Sequence, residues 1–237
     1  MPRFAVILPA AGRSSRFQSA EKKVFADLDG RPVWLRSAEW FISRPDVCQC
    51  IVVTAPEDRE VFRRHLGSAM RDSPIQLANG GAERFESVAN ALALTTSQAD
   101  FVAVHDAARP CLTAALIDAV FARAVETGAA LLAVPVADTI KRDDGAGRIQ
   151  ATLARQGLWL AQTPQVFRRD WLIDAYARRT AFGVGVTDDA QLVEAAGHVV
   201  HLVAGSSANL KITTREDLDL AEAILRGRRV TAIPRPT

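Results

Sequence analysis

A chain of 237 residues with 49% hydrophobic side chains can build one large packed domain, and no apolar run approaches the length of a membrane span. Lys and Arg number 29 against 27 for Asp and Glu, a formal net charge of +2, which argues against a general nucleic-acid binder with its strong basic excess. Cys48, Cys50 and Cys111 match no zinc or redox spacing and read as free thiols in a reducing compartment. No charged segment followed by a long apolar one opens the chain, so the expectation is a cytoplasmic protein.

Phe4 to Leu8 is short, apolar and rich in branched residues, which predicts a buried strand. Pro9-Ala10-Ala11-Gly12 follows at once, leaving little side chain between the backbone N–H groups and anything that docks there. Gly12 can supply a positive φ for a tight loop. Arg16 and Lys23 bring cations to the same loop, a combination suited to phosphates. The loop lacks both the G-x-G-x-x-G of a dinucleotide fold and the G-x-x-x-x-G-K-[ST] of a P-loop.

Pro32 predicts the start of a helix with Trp34, Ala38, Phe41 and Ile42 on one face. Cys50 to Val53 reads as a second strand, Glu57 to Leu66 as a charged helix, and Ile75 to Leu77 as a short strand before the Gly80-Gly81 turn. Phe85 to Leu94 reads as a helix with Val88, Ala91 and Leu92 inward. Phe101 to Val104 is apolar throughout and reads as a central strand, with a helix through Leu116, Ile117, Val120, Phe121 and Ala124 after it. Ala130 to Val134 is another buried strand.

From about residue 136 to 169 extended segments flank turns at Asp143 to Gly147 and at Gln156-Gly157, with no helix between them. This predicts hairpins projecting from the main sheet, an arm whose apolar surface a second subunit could cover. Alternation then resumes. Asp170 to Arg179 is a helix, Thr187 is placed to cap Asp188 to Ala196, and His198 to Val203 is a strand. Thr213 and Glu216 have capping-box spacing for a last helix to about Leu225. Residues 227–237, basic with two prolines, are expected to form a disordered tail. The fold class is α/β: a Rossmann-like, doubly wound, mainly parallel sheet in one domain spanning 1–237, with a projecting β-arm.

Ligands of such sheets collect at the carboxyl ends of the strands. Five strand ends place unusual residues there: Pro9 to Arg16; Gly80-Gly81; Asp106 and Arg109; Asp138, Thr139, Lys141 and Arg142; and Asn209 and Lys211. Several cations around one carboxylate suggest Mg²⁺ held jointly by Asp106 and triphosphate oxygens. Simple pairing of Asp106 with Arg109 is the alternative. His105 reads as a packed imidazole, not a general base.

Pro9-Ala10-Ala11-Gly12 with Arg16 and Lys23, Gly80 to Arg84 with Ser87, Val104 to Pro110, Asp138-Thr139, Gln162-Thr163-Pro164-Gln165, Thr187-Asp188 and Asn209 to Thr213 together resemble the 2-C-methyl-D-erythritol 4-phosphate cytidylyltransferases, nearly end to end. The resemblance implies transfer of CMP from CTP to methylerythritol phosphate with Mg²⁺, in a homodimer. It implies that Arg16 and Lys23 stabilise the transition state and that Lys211 and Arg155 position the acceptor phosphate, Arg155 acting on the neighbouring subunit's site. Thr139, Thr163 and Thr187 would contact the sugar alcohol phosphate, with Asp106 and Arg109 beside them. Ala10, Ala11, Gly12, Gly81 and Ser87 would hold the nucleotide, and Asp106 would serve the metal. Ser14 stands where many relatives have glycine, Lys22 where proline is common, and Ala82 where aspartate is frequent. A ribitol 5-phosphate cytidylyltransferase and a non-catalytic nucleotide-binding dimer are the rival readings.

Overall fold

The alternation of apolar runs and amphipathic segments becomes a seven-stranded sheet in the computed structural model of the chain, which describes residues 1–12, 14, 17, 21–67, 75–182 and 185–232, without the side chains of the last four. The elements are β1 (Phe4–Pro9), α1 (Val33–Ile42), β2 (Val47–Thr54), α2 (Arg59–Leu66), β3 (Ile75–Asn79), α3 (Arg84–Leu92), β4 (Phe101–Val104), α4 (Ala114–Thr127) and β5 (Ala129–Pro135). They continue with β6 (Ile140–Asp143), β7 (Ile149–Leu153), β8 (Trp159–Arg168), α5 (Arg169–Ala177), α6 (Asp189–Ala195), β9 (His201–Ala204) and α7 (Arg215–Ala232). The sheet runs β3-β2-β1-β4-β8-β5-β9, parallel except for β8, and β6 and β7 form a separate two-stranded sheet.

Strand periodicity divides β1 between two cores. Val6 and Leu8 pack with Trp34 and Phe41 of α1, Phe62 of α2, and Ile117 and Val120 of α4. Ala5 and Ile7 face the other way, against Val88 and Ala91 of α3, Leu172 of α5, and Leu192 and Val193 of α6. Both faces of β1 are therefore dry, which is why its sequence is a continuous apolar run and not an alternating one. Truncating such a residue, for example Ile7→Ala, removes about 2–5 kcal/mol of stability. A third cluster joins Phe17, Leu28, Val33 and Cys111 to Ile212 and Ala221, fastening α7 beside the loop that follows β1.

The expected arm of 136–169 divides in two. Its first part is the β6–β7 hairpin, but Trp159–Arg168 returns as β8 into the middle of the main sheet, antiparallel between β4 and β5. The sequence conceals this strand because three of its buried residues, Gln162, Thr163 and Gln165, are polar and interrupt the apolar pattern. The Thr163–Pro164 peptide bond is cis.

The helix ends differ from expectation in three places. Asp188, not Thr187, caps α6, its side chain accepting from the N–H of Gln191, while the Thr187 N–H and hydroxyl both donate to Gln191 Oε1. The box at the start of α7 pairs Thr214 with Asp217, one residue later than the Thr213–Glu216 spacing suggested. That helix also continues to Ala232, through the first half of the expected disordered tail. Arg228 is held there by donating to the carbonyl of Leu112 at 3.0 Å. Residues 233–237 lie outside the described residues.

Candidate active site

The carboxyl ends of β1, β3 and β4 and the amino half of β8 meet at one rim, because β8 runs against its neighbours. Two adjoining cavities open there. The first, about 390 Å³, is lined by Pro9 to Gly12, Lys22, Lys23, Glu57, Gly80 to Arg84, Ser87, Asp106 and Lys211, among others. The second, about 300 Å³, is lined by Arg84, Asp106, Arg109, Gln162, Thr163, Gln165, Thr187, Asp188 and Lys211, with Ala161. Both are of a size that takes small ligands. Arg84, Asp106 and Lys211 belong to both walls and mark where the cavities join.

The loop after β1 departs in two respects from the reading of a row of bare amides around a left-handed glycine. The N–H of Ala10 donates to the carbonyl of Val53 at 2.8 Å, continuing the sheet, so Ala10 contributes small size and not a free donor. Among the described residues of the loop the left-handed one is Ser14, at φ 56°, while Gly12 is not among the residues of positive φ. A Cβ built on Gly12 would meet nothing within 4 Å among the described residues, so toward these this glycine keeps space open. Ser14 Oγ accepts the N–H of Lys23 at 3.3 Å, tying the turn to the second lysine of the loop. Lys22 reaches across to Asp58 Oδ2 at 2.5 Å and Glu57 Oε1 at 3.4 Å, in the segment that follows β2. Arg16 lies outside the described residues.

The turn after β3, packed against the loop after β1, is built from small residues for steric reasons. A Cβ on Gly80 would stand 2.6 Å from the Cβ of Ala11, and one on Gly81 would stand 2.3 Å from the Cβ of Glu86. The N–H of Gly80 donates to Thr54 O at 2.8 Å, and that of Gly81 to Ser87 Oγ at 3.1 Å. What these two glycines can offer a ligand is therefore their carbonyl oxygens.

Asp106 is buried at the junction. Lys211 Nζ lies 2.8 Å from its Oδ2, Arg109 Nε lies 3.6 Å from Oδ2, and Arg84 Nε lies 3.7 Å from Oδ1. Burial by itself would raise the carboxyl, but Lys211, Arg84 and Arg109 outweigh it and hold Asp106 well below the usual carboxylate range. Among the described residues the partner is thus a cluster of three cations and not Arg109 alone.

Thr163 supports this turn from β8. Its Oγ1 accepts the N–H of Asp106 at 3.0 Å and donates to Nδ1 of His105 at 3.0 Å. His105 Nε2 lies 3.1 Å from the carbonyl of Arg109, which can only accept, so the ring proton is assigned to Nε2. Burial pushes His105 down to about 4, and it stays neutral at pH 7. The packed imidazole expected from the sequence is what the fold contains.

Of the residues singled out in the sequence, Ala10, Ala11, Gly12, Lys23, Gly81, Ser87, Asp106 and Lys211 line the first cavity, and Asp106, Arg109, Thr163, Thr187 and Lys211 line the second. Thr139 and Arg155 line neither cavity; both are exposed, at the base of β6 and beyond β7. Asp138, Lys141 and Arg142 leave the rim with them. Three residues that the sequence motifs contain, but to which sequence reasoning assigned no role of their own, are structural contributors here. Gln165 ties β8 to the start of α6 through Asp188 Oδ2 (2.8 Å) and the N–H of Ala190 (3.0 Å). Asn209, fully buried, donates to Thr163 O at 3.0 Å and to Gln162 Oε1 at 3.3 Å, which brings the Lys211 segment to Asp106. Arg84 stood within a quoted motif without a role. Gln165 and Asn209 carry no local signal, since their partners lie 25 and 46 positions away.

A doubly wound sheet whose carboxyl rim joins small-residue loops to one carboxylate ringed by cations defines a protein of the nucleotidyltransferase class. The family model described as IspD: 2-C-methyl-D-erythritol 4-phosphate cytidylyltransferase matches residues 4–227. The enzyme of that name from Rhodopirellula baltica is 46% identical over 232 residues, 93% of this chain and 94% of the relative. That from Dechloromonas aromatica is 45% identical over 233 residues, 97% and 100% of the two chains. The crystal structure of the Francisella tularensis enzyme superposes with a TM-score of 0.80 at 31% identity, covering 94% of this chain and 99% of the other. The chain belongs to the 2-C-methyl-D-erythritol 4-phosphate cytidylyltransferase family.

Proposed function

We propose that this protein transfers CMP from CTP to 2-C-methyl-D-erythritol 4-phosphate, giving 4-diphosphocytidyl-2-C-methyl-D-erythritol and pyrophosphate, in isoprenoid precursor synthesis in the cytoplasm. The observation that carries the reading is the meeting of two cavities at Arg84, Asp106 and Lys211, one cavity for each phosphorylated substrate.

An oxygen of the acceptor phosphate forms a bond to the α-phosphorus of CTP. The bond from that phosphorus to the bridging oxygen breaks, and its electron pair leaves with pyrophosphate. The attacking oxygen is already ionised at neutral pH, so no general base is needed, in keeping with a neutral, fully engaged His105. The protein's task is to align two anions and to stabilise the charge that builds between them. Lys23 and Arg16 serve the α-phosphorus, and Lys211 positions the acceptor phosphate. Ala10, Ala11, Gly12, Gly81 and Ser87 hold the nucleotide. Carbonyls of Gly80 and Gly81 can accept from the exocyclic amine of cytosine but not from the O4 of uracil, which favours CTP where Ala82 offers no polar group.

Thr163 and Thr187 have their hydroxyl protons engaged by His105 and Gln191, so they meet the sugar alcohol as acceptors. Thr139 and Arg155 lie on the exposed arm, and they complete the site of a second copy of the chain. Exposed Ile149 on the arm, with exposed Leu158, Trp159 and Leu160 at the start of β8, supports a homodimer formed through this arm.

Asp106 fits a shared Mg²⁺. Among the described residues its Oδ1 has only the long contact with Arg84, and no cluster of three His, Cys, Asp or Glu could hold a metal without substrate oxygens. The cation, when bound, neutralises the phosphates. No described helix is long and apolar enough to cross a membrane.

The test is pyrophosphate release from CTP or UTP with methylerythritol phosphate or ribitol 5-phosphate, with and without Mg²⁺. Release with CTP and methylerythritol phosphate is expected. Faster turnover of ribitol 5-phosphate would move the assignment to that substrate, and no release with any pair would reject it.

A further inference from the structure

We propose that Arg84 is a catalytic residue of the reaction assigned above, on which this inference rests, binding a phosphoryl oxygen where the two cavities join, and that Asp189 and Tyr176 position it.

Arg84 opens α3 and lies in the walls of both cavities. Its Nη2 donates to Asp189 Oδ2 at 2.7 Å. Asp189 is fully buried, and its other oxygen accepts from the hydroxyl of Tyr176 at 2.5 Å. The carboxylate sits in the first turn of α6, where the helix dipole favours negative charge. Both of its oxygens are thus occupied, one by a cation and one by a hydroxyl. Burial raises Tyr176, as does Asp189 beside it, so the phenol keeps the proton it donates.

Neutralising Asp189 uses only one edge of the guanidinium. The Nε edge turns toward Asp106, but 3.7 Å is too long for a hydrogen bond. An arginine carries five donors in a rigid plane, so anchoring one edge aims the others. The side chain is 31% exposed, open to the cavities and not folded away. Burial disfavours its charge, but Asp189 and Asp106 outweigh that, and Arg84 stays cationic. A fixed cation at the junction of two anion sites is placed for the phosphoryl group in flight. Lys211 approaches the same carboxylate through its other oxygen.

The experiment compares kcat and KM for both substrates in the wild type, Arg84→Gln, Arg84→Lys, Tyr176→Phe and the double variant Arg84→Gln/Tyr176→Phe, with thermal melts as a folding control. Arg84→Gln is expected to lower kcat about 10²-fold with KM nearly unchanged, as for loss of one transition-state contact. Arg84→Lys recovers only part, because one ammonium cannot serve Asp189 and a phosphate together. It also keeps a cation on Asp189, so it decides the matter if Arg84→Gln does not fold. Tyr176→Phe is expected to lower kcat about fivefold alone, and not at all in the Arg84→Gln background. Wild-type kcat in either Arg84 variant overturns the catalytic role. An equal Tyr176→Phe factor in both backgrounds overturns the positioning role. A wild-type protein silent with CTP and methylerythritol phosphate overturns the reaction itself, and this inference with it.

Discussion

Lys211 Nζ stands 2.8 Å from Asp106 Oδ2, the shortest contact in the cluster around that carboxylate. The carboxylate therefore holds the lysine in place before any phosphate arrives. Asp106→Asn keeps the shape and removes the charge, leaving Lys211, Arg84 and Arg109 to repel one another. The Mg²⁺ concentration for half-maximal turnover is expected to rise at least about tenfold in this variant. An unchanged Mg²⁺ titration would show that Asp106 only organises cations.

Lys22 and Lys23 are adjacent, but the fold gives them different work. Lys23 faces the first cavity, and its replacement by alanine is expected to lower kcat about 10²-fold or more. Lys22 clasps the part-buried Asp58, bracing the loop that presents Lys23. Lys22→Ala is expected to lower kcat about threefold to tenfold, and Asp58→Asn to do the same without adding to it. Steady-state kinetics of the two single variants and the double variant check this. Additive losses would show that Lys22 and Asp58 do not act through their mutual contact.

His105 makes stability depend on pH with a definite sign. Burial lowers it from its ordinary 6.5 to about 4. Below pH 6.5 the unfolded chain binds a proton that the folded chain refuses until near pH 4, so stability falls as pH drops through that window. The slope from this group reaches about 1.4 kcal/mol per pH unit and vanishes above the window. Urea unfolding from pH 7 to pH 4.5 in metal-free buffer should show a shallower decline for His105→Gln than for the wild type. Parallel declines would assign the pH dependence to other groups.

The arm carries a prediction about subunits. Arg155→Ala and Lys23→Ala proteins should each turn over poorly, yet a mixture refolded together should recover part of the wild-type rate. In a mixed dimer one site receives an intact Lys23 and the partner's intact Arg155. Absence of recovery, with mixed dimers verified by mass, would place Arg155 and Lys23 in the site of one chain.

Much of the fold was legible where burial is two-sided. β1, β2, β4 and β5 are apolar runs because helices cover both faces, and those runs are visible without coordinates. The loop of small residues after β1 was legible as well. Its details were not: Ser14, not Gly12, takes the left-handed backbone, since the φ of a residue follows from how the whole loop closes. The place of β8 in the main sheet, and not in the arm, escaped because Gln162, Thr163 and Gln165 are buried with hydrogen-bond partners that only the folded chain supplies. The length of α7 escaped for a related reason, its basic end being held by Leu112, far away in the chain.

By itself the sequence determined which groups are present at the strand ends: bare loops, one carboxylate, and lysines and arginines in order along the chain. That follows from local chemistry, because strand runs and the residues just after them are neighbours in sequence. Only the tertiary structure decided which of those groups share a site. An antiparallel β8, with Asn209 bonded to it and its own Gln165 bonded to the start of α6, draws Lys211, Arg84 and Thr163 to Asp106 and sends Thr139 and Arg155 away on the arm. Those contacts span tens to more than a hundred residues, and distances of that kind are set by packing, not by any pattern within a single segment.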